Sequence, residues 1–332
     1  MLLSIIVPLY NSAAYLPRCL ESLLHQDISL EEYEIIMVND GSPDNSLVIA
    51  NEYALKYPNI RVFSQENKGT SGARNTGLLE ARGKYVYFVD PDDYVLENSL
   101  RAILNRMEEA SLDALRFGYV EVDEQGSPTK SCKHPEKPDY SSKILDGFSF
   151  MFERLGTACY VWTFLFRTAL LKENNLFFDV NAYIDDTPWL PRVLAVAVRV
   201  DSIDLKRHYY TIREGSLVRA GCKNADRIIS AQKWLIDELI NQLGQTENKN
   251  GEMWYRKMIS QTVLSLLSTI GLNRINQSAD TAIWLKERNL LPLKAYRKDA
   301  RTGIKLFVTN ISPTFFCQLI HLHQIAKGVT NK

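Results

Sequence analysis

Asp90-Pro91-Asp92-Asp93 places three carboxylates within four positions. Such groups repel one another unless a cation sits among them. Hard oxygen ligands of this kind suit Mg²⁺ or Mn²⁺, held by one or two carboxylates together with substrate phosphates. The other use is capping, with Asp92 or Asp93 satisfying the free amides of a following helix. A second pair, Asp185-Asp186, precedes Thr187-Pro188-Trp189. Adjacent carboxylates push one pKa upward, which suits a general base. This pair could equally cap a helix with Pro188 in its first turn. Asp40, in Val38-Asn39-Asp40-Gly41-Ser42, is either an acceptor for a nucleobase or a turn residue bonding its own backbone. Asn67-Lys68-Gly69-Thr70-Ser71-Gly72-Ala73-Arg74-Asn75 joins a loop, two cations and a helix start, a place for a diphosphate or nucleotide. It has neither P-loop nor GxGxxG spacing, which argues against ATPase and dehydrogenase readings.

These groups must be positioned by the elements around them. Residues 3–7, 34–38, 60–63 and 85–89 are apolar runs of strand length, and 114–122 is another strand. Residues 15–26, 46–56, 71–81 and 96–110 have helical spacing. Strands alternating with helices imply a mostly parallel, Rossmann-like sheet covered on both faces, an α/β fold. Ligands of such sheets bind beyond the carboxyl ends of the strands. Asn11, Asp40 and Asp90 to Asp93 all fall there. Residues 123–146 read as a loop, 148–154 and 161–172 as helical or mixed, and 199–212 as strands. Helices are expected over 225–243, 252–272 and 279–288.

The 332 residues are 45% apolar and 23% charged, which excludes a disordered chain. Lys+Arg 39 and Asp+Glu 39 cancel, so no global charge argues for nucleic acid. Cysteines 19, 132, 159, 222 and 317 are scattered and form no zinc pattern, as in a reducing compartment. No apolar stretch reaches membrane-span length, and residues 2–9 lack the features of a signal peptide. A cytoplasmic protein is expected.

The blocks Ser4-Ile5-Ile6-Val7-Pro8-Leu9-Tyr10-Asn11, Glu34-Ile35-Ile36-Met37-Val38-Asn39-Asp40-Gly41-Ser42 with Asp44 and Ser46, Ala73-Arg74-Asn75 with Gly77, and Gly83-Lys84-Tyr85 with Phe88 to Asp93 resemble the family 2 glycosyltransferases. A thinner resemblance continues through Trp162, Asp185-Asp186-Thr187, Tyr209-Tyr210, Arg213, Gly215 and Ser216. It implies a GT-A fold over 1–219, with a nucleotide-binding half (1–110) and an acceptor half (111–219), and a helical extension over 220–332. It also implies inverting, metal-dependent transfer from a nucleotide-sugar, a UDP-sugar favoured, to a saccharide or lipid-linked saccharide. Carried over by position, Pro8, Tyr10 and Asp40 hold the nucleobase and Arg74 sits near the nucleotide. Asp90-Pro91-Asp92 matches the DxD, with Asp92 the Mn²⁺ or Mg²⁺ ligand and Asp90 beside it, nearer the ribose. Asp186 matches the catalytic base, and Asp185 replaces the usual Glu before it. Phe164 stands where relatives carry Lys, a change expected to alter acceptor contacts. His208 is either a late metal ligand or a strand histidine; Trp162 and Trp189 either stack on sugar or pack in the core.

Two other functions compete. A nucleotidyltransferase needs a glycine- and lysine-rich loop near the N-terminus, and residues 7–15 have neither. A catalytically inactive nucleotide-sugar-binding partner of another transferase would lack the DxD or the base, and both are present. Finally, residues 290–332 carry Lys294, Arg297, Lys298, Arg301, Lys305, Lys327 and Lys332 against Asp299 alone, a net of +6. Phe315, Phe316, Leu319, Leu322 and Ala326 share a helical face after Pro313. This tail is either a peripheral anchor on the inner face of an anionic membrane or a helix packed on its own domain.

Overall fold

The N-terminal apolar run forms β1 (Leu3–Leu9), every residue buried, as a strand covered on both faces must be. Then α1 (Leu16–Leu24), β2 (Tyr33–Asp40), α2 (Ser46–Lys56), β3 (Ile60–Gln65), α3 (Gly69–Glu80) and β4 (Tyr85–Phe88) follow in strict alternation. Strands β3, β2, β1 and β4 are neighbours and parallel. Pro8 fits inside β1 for a local reason. The Ile6 carbonyl accepts from Val89 N–H, so Pro8, two residues on, faces the same side. Pairing with β4 has ended there at Phe88, and no ladder bond is lost.

The computed structural model describes residues 1–129, 143–213, 225–293 and 300–326, which fall into two compact units, Met1–Arg213 and Glu214–Lys332. In the first unit the alternation breaks after β4. Next come β5 (Tyr94–Val95), α4 (Leu100–Glu109), β6 (Ala114–Val122) and α5 (Gly147–Phe150), which runs into a π turn over Met151–Leu155. A 3-10 turn over Val161–Thr163, β7 (Phe164–Arg167), α6 (Thr168–Glu173), α7 (Asp186–Val196) and β8 (Val200–Thr211) complete it. The sheet order is β3-β2-β1-β4-β7-β6-β8-β5. Strand β7 runs antiparallel to β4 and β6, and β5 antiparallel to β8, so the far half of the sheet is mixed.

The helix expected from residue 96 begins instead at Leu100. Ahead of it, Tyr94 pairs with Tyr209 and stacks on its ring at 4.5 Å, beneath the Arg18 guanidinium. This distant partner overrides the local helical pattern. Neither Asp92 nor Asp93 therefore caps a helix.

The turns at the carboxyl ends of β1 and β2 are tied by Asp44. Its carboxylate accepts from Ser42 Oγ, from the Ser46 N–H and hydroxyl, and from the Ala13 N–H. Burial opposes the charge, but these donors outweigh it and hold the pKa at about 2. Helix α3 lies close on β1 because residue 77 is glycine: a Cβ there would stand 2.4 Å from Ile6 Cγ2.

The second unit is helical, with α8 (Ala225–Gly244), α9 (Lys249–Asn273), a 3-10 turn over Ile275–Gln277, α10 (Ser278–Glu287), α11 (Ala300–Ile311) and α12 (Pro313–Ala326). Helix α12 packs on α9 with Phe316 and Cys317 buried, and the Cys317 thiol lies 3.3 Å from the Leu267 carbonyl. Gly271 permits that approach, since a Cβ there would meet the Cys317 carbonyl at 2.7 Å. The expected single apolar face of this helix thus needs correcting: Phe316 faces the core, while Phe315, Leu319 and Leu322 are exposed. Lys294, Arg297, Lys298, Asp299, Lys327 and Lys332, with the side chains of Arg301 and Ala326, lie outside the described residues, as do Cys132, Cys222, His134, Gly215 and Ser216. No described helix is long and apolar enough to cross a membrane.

A methyl group at residue 77 forces α3 off β1. Gly77→Ala is expected to lower the unfolding free energy by about 1–3 kcal/mol, the usual range for overpacking. Urea titration followed by circular dichroism measures it, and an unmoved midpoint refutes the close approach.

Candidate active site

Arg74 is the centre of the site. It sits on α3, only 3% exposed. Its Nη2 donates to Asp90 Oδ1 at 2.9 Å, and its Nη1 to Asp186 Oδ1 at 2.7 Å and Asp185 Oδ2 at 3.0 Å. Three segments distant in sequence meet on one guanidinium: α3, the turn after β4, and the start of α7. Burial works against the Arg74 charge, but Asp186, Asp90 and Asp185 together outweigh it and raise its pKa. Its Nε is buried without a hydrogen-bond partner among the described residues.

The neighbouring residue fixes the geometry. Asn75 donates from Nδ2 to the Phe178 carbonyl and accepts the Phe178 N–H on Oδ1, both at 2.8 Å. That pins the irregular segment before α7 to α3. Phe178 lies beneath the Arg74 guanidinium and stacks on Trp189 at 4.1 Å. Trp189 is 1% exposed and donates Nε1–H to the Leu176 carbonyl, so it packs in the core rather than against a sugar.

The two members of the acidic pair do different work. Asp185 is the N-cap of α7, accepting the Asp186 N–H, and it also accepts from Ser71 Oγ at 3.0 Å. Asp186 accepts the Val161 N–H on Oδ2 at 3.3 Å. Burial raises the Asp186 pKa; Arg74 pulls it down, and Asp185 and Asp90 push it up again, leaving it above the ordinary carboxylate range.

The carboxylates of the 90–93 turn also divide. Asp90 faces Arg74. Asp92 accepts from Arg213 Nε at 2.5 Å, and Arg213 lies over the Tyr15 ring. Burial and then Asp90 raise the Asp92 pKa, against Arg213. Asp93 is buried behind them, accepting the Thr211 N–H and bonded to His208 Nε2 at 2.8 Å. Burial pushes its pKa up to about 7. The other His208 nitrogen meets Tyr87 Oη at 2.7 Å. With both ring nitrogens engaged and no exposure, His208 is a strand histidine and not a metal ligand in this arrangement.

Asp40 ends β2, 2% exposed. It does not close its own turn; its Oδ1 accepts Gln65 Nε2–H and the Lys68 N–H, tethering the loop that leads into α3. Pro8 is buried near the end of β1, and Tyr10 beyond it is 53% exposed. The structure thus brings Arg74, Asp90 and Asp186 into direct contact and sets Asp92 beside them. Pro8, Tyr10 and Asp40 stand at the ends of β1 and β2, outside that cluster of bonds. Phe164 is fully buried, stacked on Phe166 at 5.5 Å, so the departure at that position is absorbed by the core rather than by a sugar contact. Sequence reasoning gave no partner to Arg213 or Ser71, because each pairs with a carboxylate more than a hundred residues away.

Among the described residues, no group of three or more His, Cys, Asp or Glu is arranged to cage a metal. What remains is the crowded pair Asp90 and Asp92. Two carboxylates completed by substrate phosphates are enough for Mg²⁺ or Mn²⁺, so these residues fit a divalent cation that arrives with its substrate.

Residues 4–171 match the profile of Glycosyl transferase family 2. The glycosyltransferase EpsJ of Bacillus subtilis (strain 168) is 35% identical over 233 residues, which are 68% of this chain and 65% of EpsJ. The poly(ribitol-phosphate) beta-N-acetylglucosaminyltransferase TarS of Staphylococcus aureus (strain Mu50 / ATCC 700699) is 31% identical over 73% of this chain and 41% of TarS. The matched region is therefore less than two thirds of either relative. The crystal structure of S. aureus TarS 1-349 in complex with UDP-GlcNAc superposes with a TM-score of 0.68 at 22% identity, covering 100% of this chain and 93% of that one. The mixed sheet with helices on its faces is of the GT-A type, and the chain belongs to the family 2 glycosyltransferases.

Proposed function

We propose that this chain is an inverting, metal-dependent glycosyltransferase. It moves a sugar from a UDP-sugar to a hydroxyl of a saccharide or lipid-linked saccharide in surface-polysaccharide synthesis. One observation carries the reading: Arg74 holds Asp186 and Asp90 on a single guanidinium, so a carboxylate with a raised pKa stands beside the acidic turn. The similar TarS supports the donor and acceptor classes, being crystallised with UDP-GlcNAc and named for transfer to poly(ribitol-phosphate). Residues 1–219 are assigned to catalysis, 1–110 to the donor and 111–219 to the acceptor, with 220–332 a helical extension. The protein works in the cytoplasm or on the inner face of a membrane.

In this reading the exposed Tyr10 ring, Pro8 and the Asp40 carboxylate receive the nucleobase. Asp90 and Asp92 hold the divalent cation, with Asp90 nearer the ribose. When bound, that cation offsets the negative charge of the departing nucleoside diphosphate. Arg74 orients Asp90 and Asp186, and Arg213 orients Asp92. Asp186 accepts the proton of the acceptor hydroxyl as its oxygen attacks the anomeric carbon. The bond to the diphosphate oxygen breaks on the opposite face, and configuration inverts. A single displacement needs no second nucleophile.

Asp186→Asn is expected to keep donor binding and lose about 10²–10⁴ in turnover, the range of general-base catalysis. Isothermal calorimetry with UDP-GlcNAc and a transfer assay separate the two effects. A mild Asp186→Asn beside a crippled Asp185→Asn would reverse the assignment within the pair.

Asp186 must be ionised to act. Because its pKa is raised before any cation binds, kcat/KM, which reports the free enzyme, falls as pH drops through that raised value, above the ordinary carboxylate range. A kcat/KM profile whose acid limb lies near pH 4, where free carboxylates titrate, contradicts this role.

Asp92→Asn is expected to abolish Mn²⁺-dependent enhancement of UDP-GlcNAc binding while the circular dichroism spectrum stays unchanged. Enhancement equal to that of the unsubstituted protein removes Asp92 as the ligand.

A further inference from the structure

Exposed apolar side chains in the first unit, such as Val48 and Leu55 on α2, Leu79 on α3 and Val198 ahead of β8, are spread over several elements. Scattered residues of this kind are normal on soluble surfaces. Those at the end of the second unit are periodic. Ile304, Phe307 and Ile311 are 64%, 67% and 66% exposed on α11, and Phe315, Leu319, Leu322 and Ile325 are 48%, 40%, 60% and 52% exposed on α12. Their spacing of three and four residues is that of one helical stripe. Ser312 separates the two helices and caps the second, its hydroxyl accepting the Phe315 N–H, so the exposed apolar row of α11 is followed directly by that of α12. The opposite side of α12 is spoken for, with Phe316 and Cys317 buried.

Charge indicates the occupant. Residues 290–332 hold seven Lys and Arg and one acidic residue, Asp299. Five of the seven, Lys294 to Lys305, lie just before or within α11. A second copy of this chain would bring the same excess of positive charge against itself. An anionic lipid surface complements it and also accepts the apolar stripe.

We propose that the exposed stripe of α11 and α12 inserts into the interfacial layer of an anionic bilayer, seating the enzyme where a lipid-linked acceptor is presented. The proposal deepens the acceptor part of the function above and rests on it. Its own test is separate from donor chemistry.

The full chain is sedimented with vesicles of phosphatidylcholine and phosphatidylglycerol, and with vesicles of phosphatidylcholine alone. It is expected to pellet with the first and to be released in part by high salt. Phe307→Gln with Leu322→Gln, both exposed positions, is expected to lower partitioning on the order of a hundredfold, about tenfold for each buried side chain lost. Lys305→Gln lowers it about fivefold, the share of one cation near such a surface. UDP-GlcNAc binding by calorimetry stays unchanged in all variants, so loss of vesicle binding alone leaves the transferase reading intact. Three results overturn the proposal: no pelleting with either vesicle, equal pelleting of the parent chain and the double variant, or a concentration-dependent dimer in sedimentation velocity that the double variant abolishes.

Discussion

The site depends on one buried guanidinium. Arg74 neutralises carboxylates that would otherwise repel one another, and it draws them from two parts of the chain to a third, its own helix. Removing a buried charge's partner is strongly unfavourable, so such a cluster stands or falls together. Its placement in turn rests on packing. Gly77 lets α3 settle on β1, and Asn75 clamps the backbone at Phe178, fixing where α7 begins. Arg74 lies one residue before Asn75 and three before Gly77, on the same helix. Arg74 and Arg213 face Asp90, Asp92, Asp185 and Asp186, which leaves two negative charges when all four carboxylates are ionised. A proton on Asp186 relieves part of that excess, and a divalent cation relieves all of it. Burial is the first cause of the raised pKa of the proposed base; the excess of carboxylates adds to it and underlies the proposed need for metal.

The parallel half of the fold was legible because its signals are local. A strand buried on both faces is a continuous apolar run, and β1, β2 and β4 appear in the sequence as that. The polar residues that follow each run mark the carboxyl edge, which is why Asp40 and Asp90 to Asp93 stood out. Legibility ended where pairing became distant. The helical pattern that begins at Leu96 is cut short, because the Tyr209 ring and the β8 backbone claim Tyr94 and Val95 just before it and the Arg207 carbonyl takes the Leu96 N–H. Residues 147–167 change from α to π to 3-10 to strand within a few turns, and only the slot between β4 and β6 makes Phe164–Arg167 a strand. No spacing rule reaches across the distance between Asp92 and Arg213.

Histidine and tryptophan show the same boundary. A sequence permits His208 as ligand or as packing, and the decision belongs to Asp93 and Tyr87, which take both of its nitrogens. Trp189 likewise turns inward because Phe178 and the Leu176 carbonyl meet it there. Residue type says what a side chain can do, and its neighbours decide which of those things it does.

Helix α12 extends that argument to a surface. Its fourteen residues, PTFFCQLIHLHQIA, contain apolar groups on most sides, so periodicity alone could not choose the buried one. The choice is made by a small residue on another helix. Gly271 allows the backbone of Cys317 to approach α9, and that rotation carries Phe316 inward and Phe315 outward. Once Phe316 is committed, the residues at 315, 319 and 322 have no core to enter. A helix with one apolar face satisfied and a second left open is not explained by the stability of its own unit, because the open face adds nothing to that unit's core. Lys305, on α11 beside it, is exposed as well. The proposed interface with an anionic apolar phase uses the open apolar face and the basic composition of residues 290–332 together.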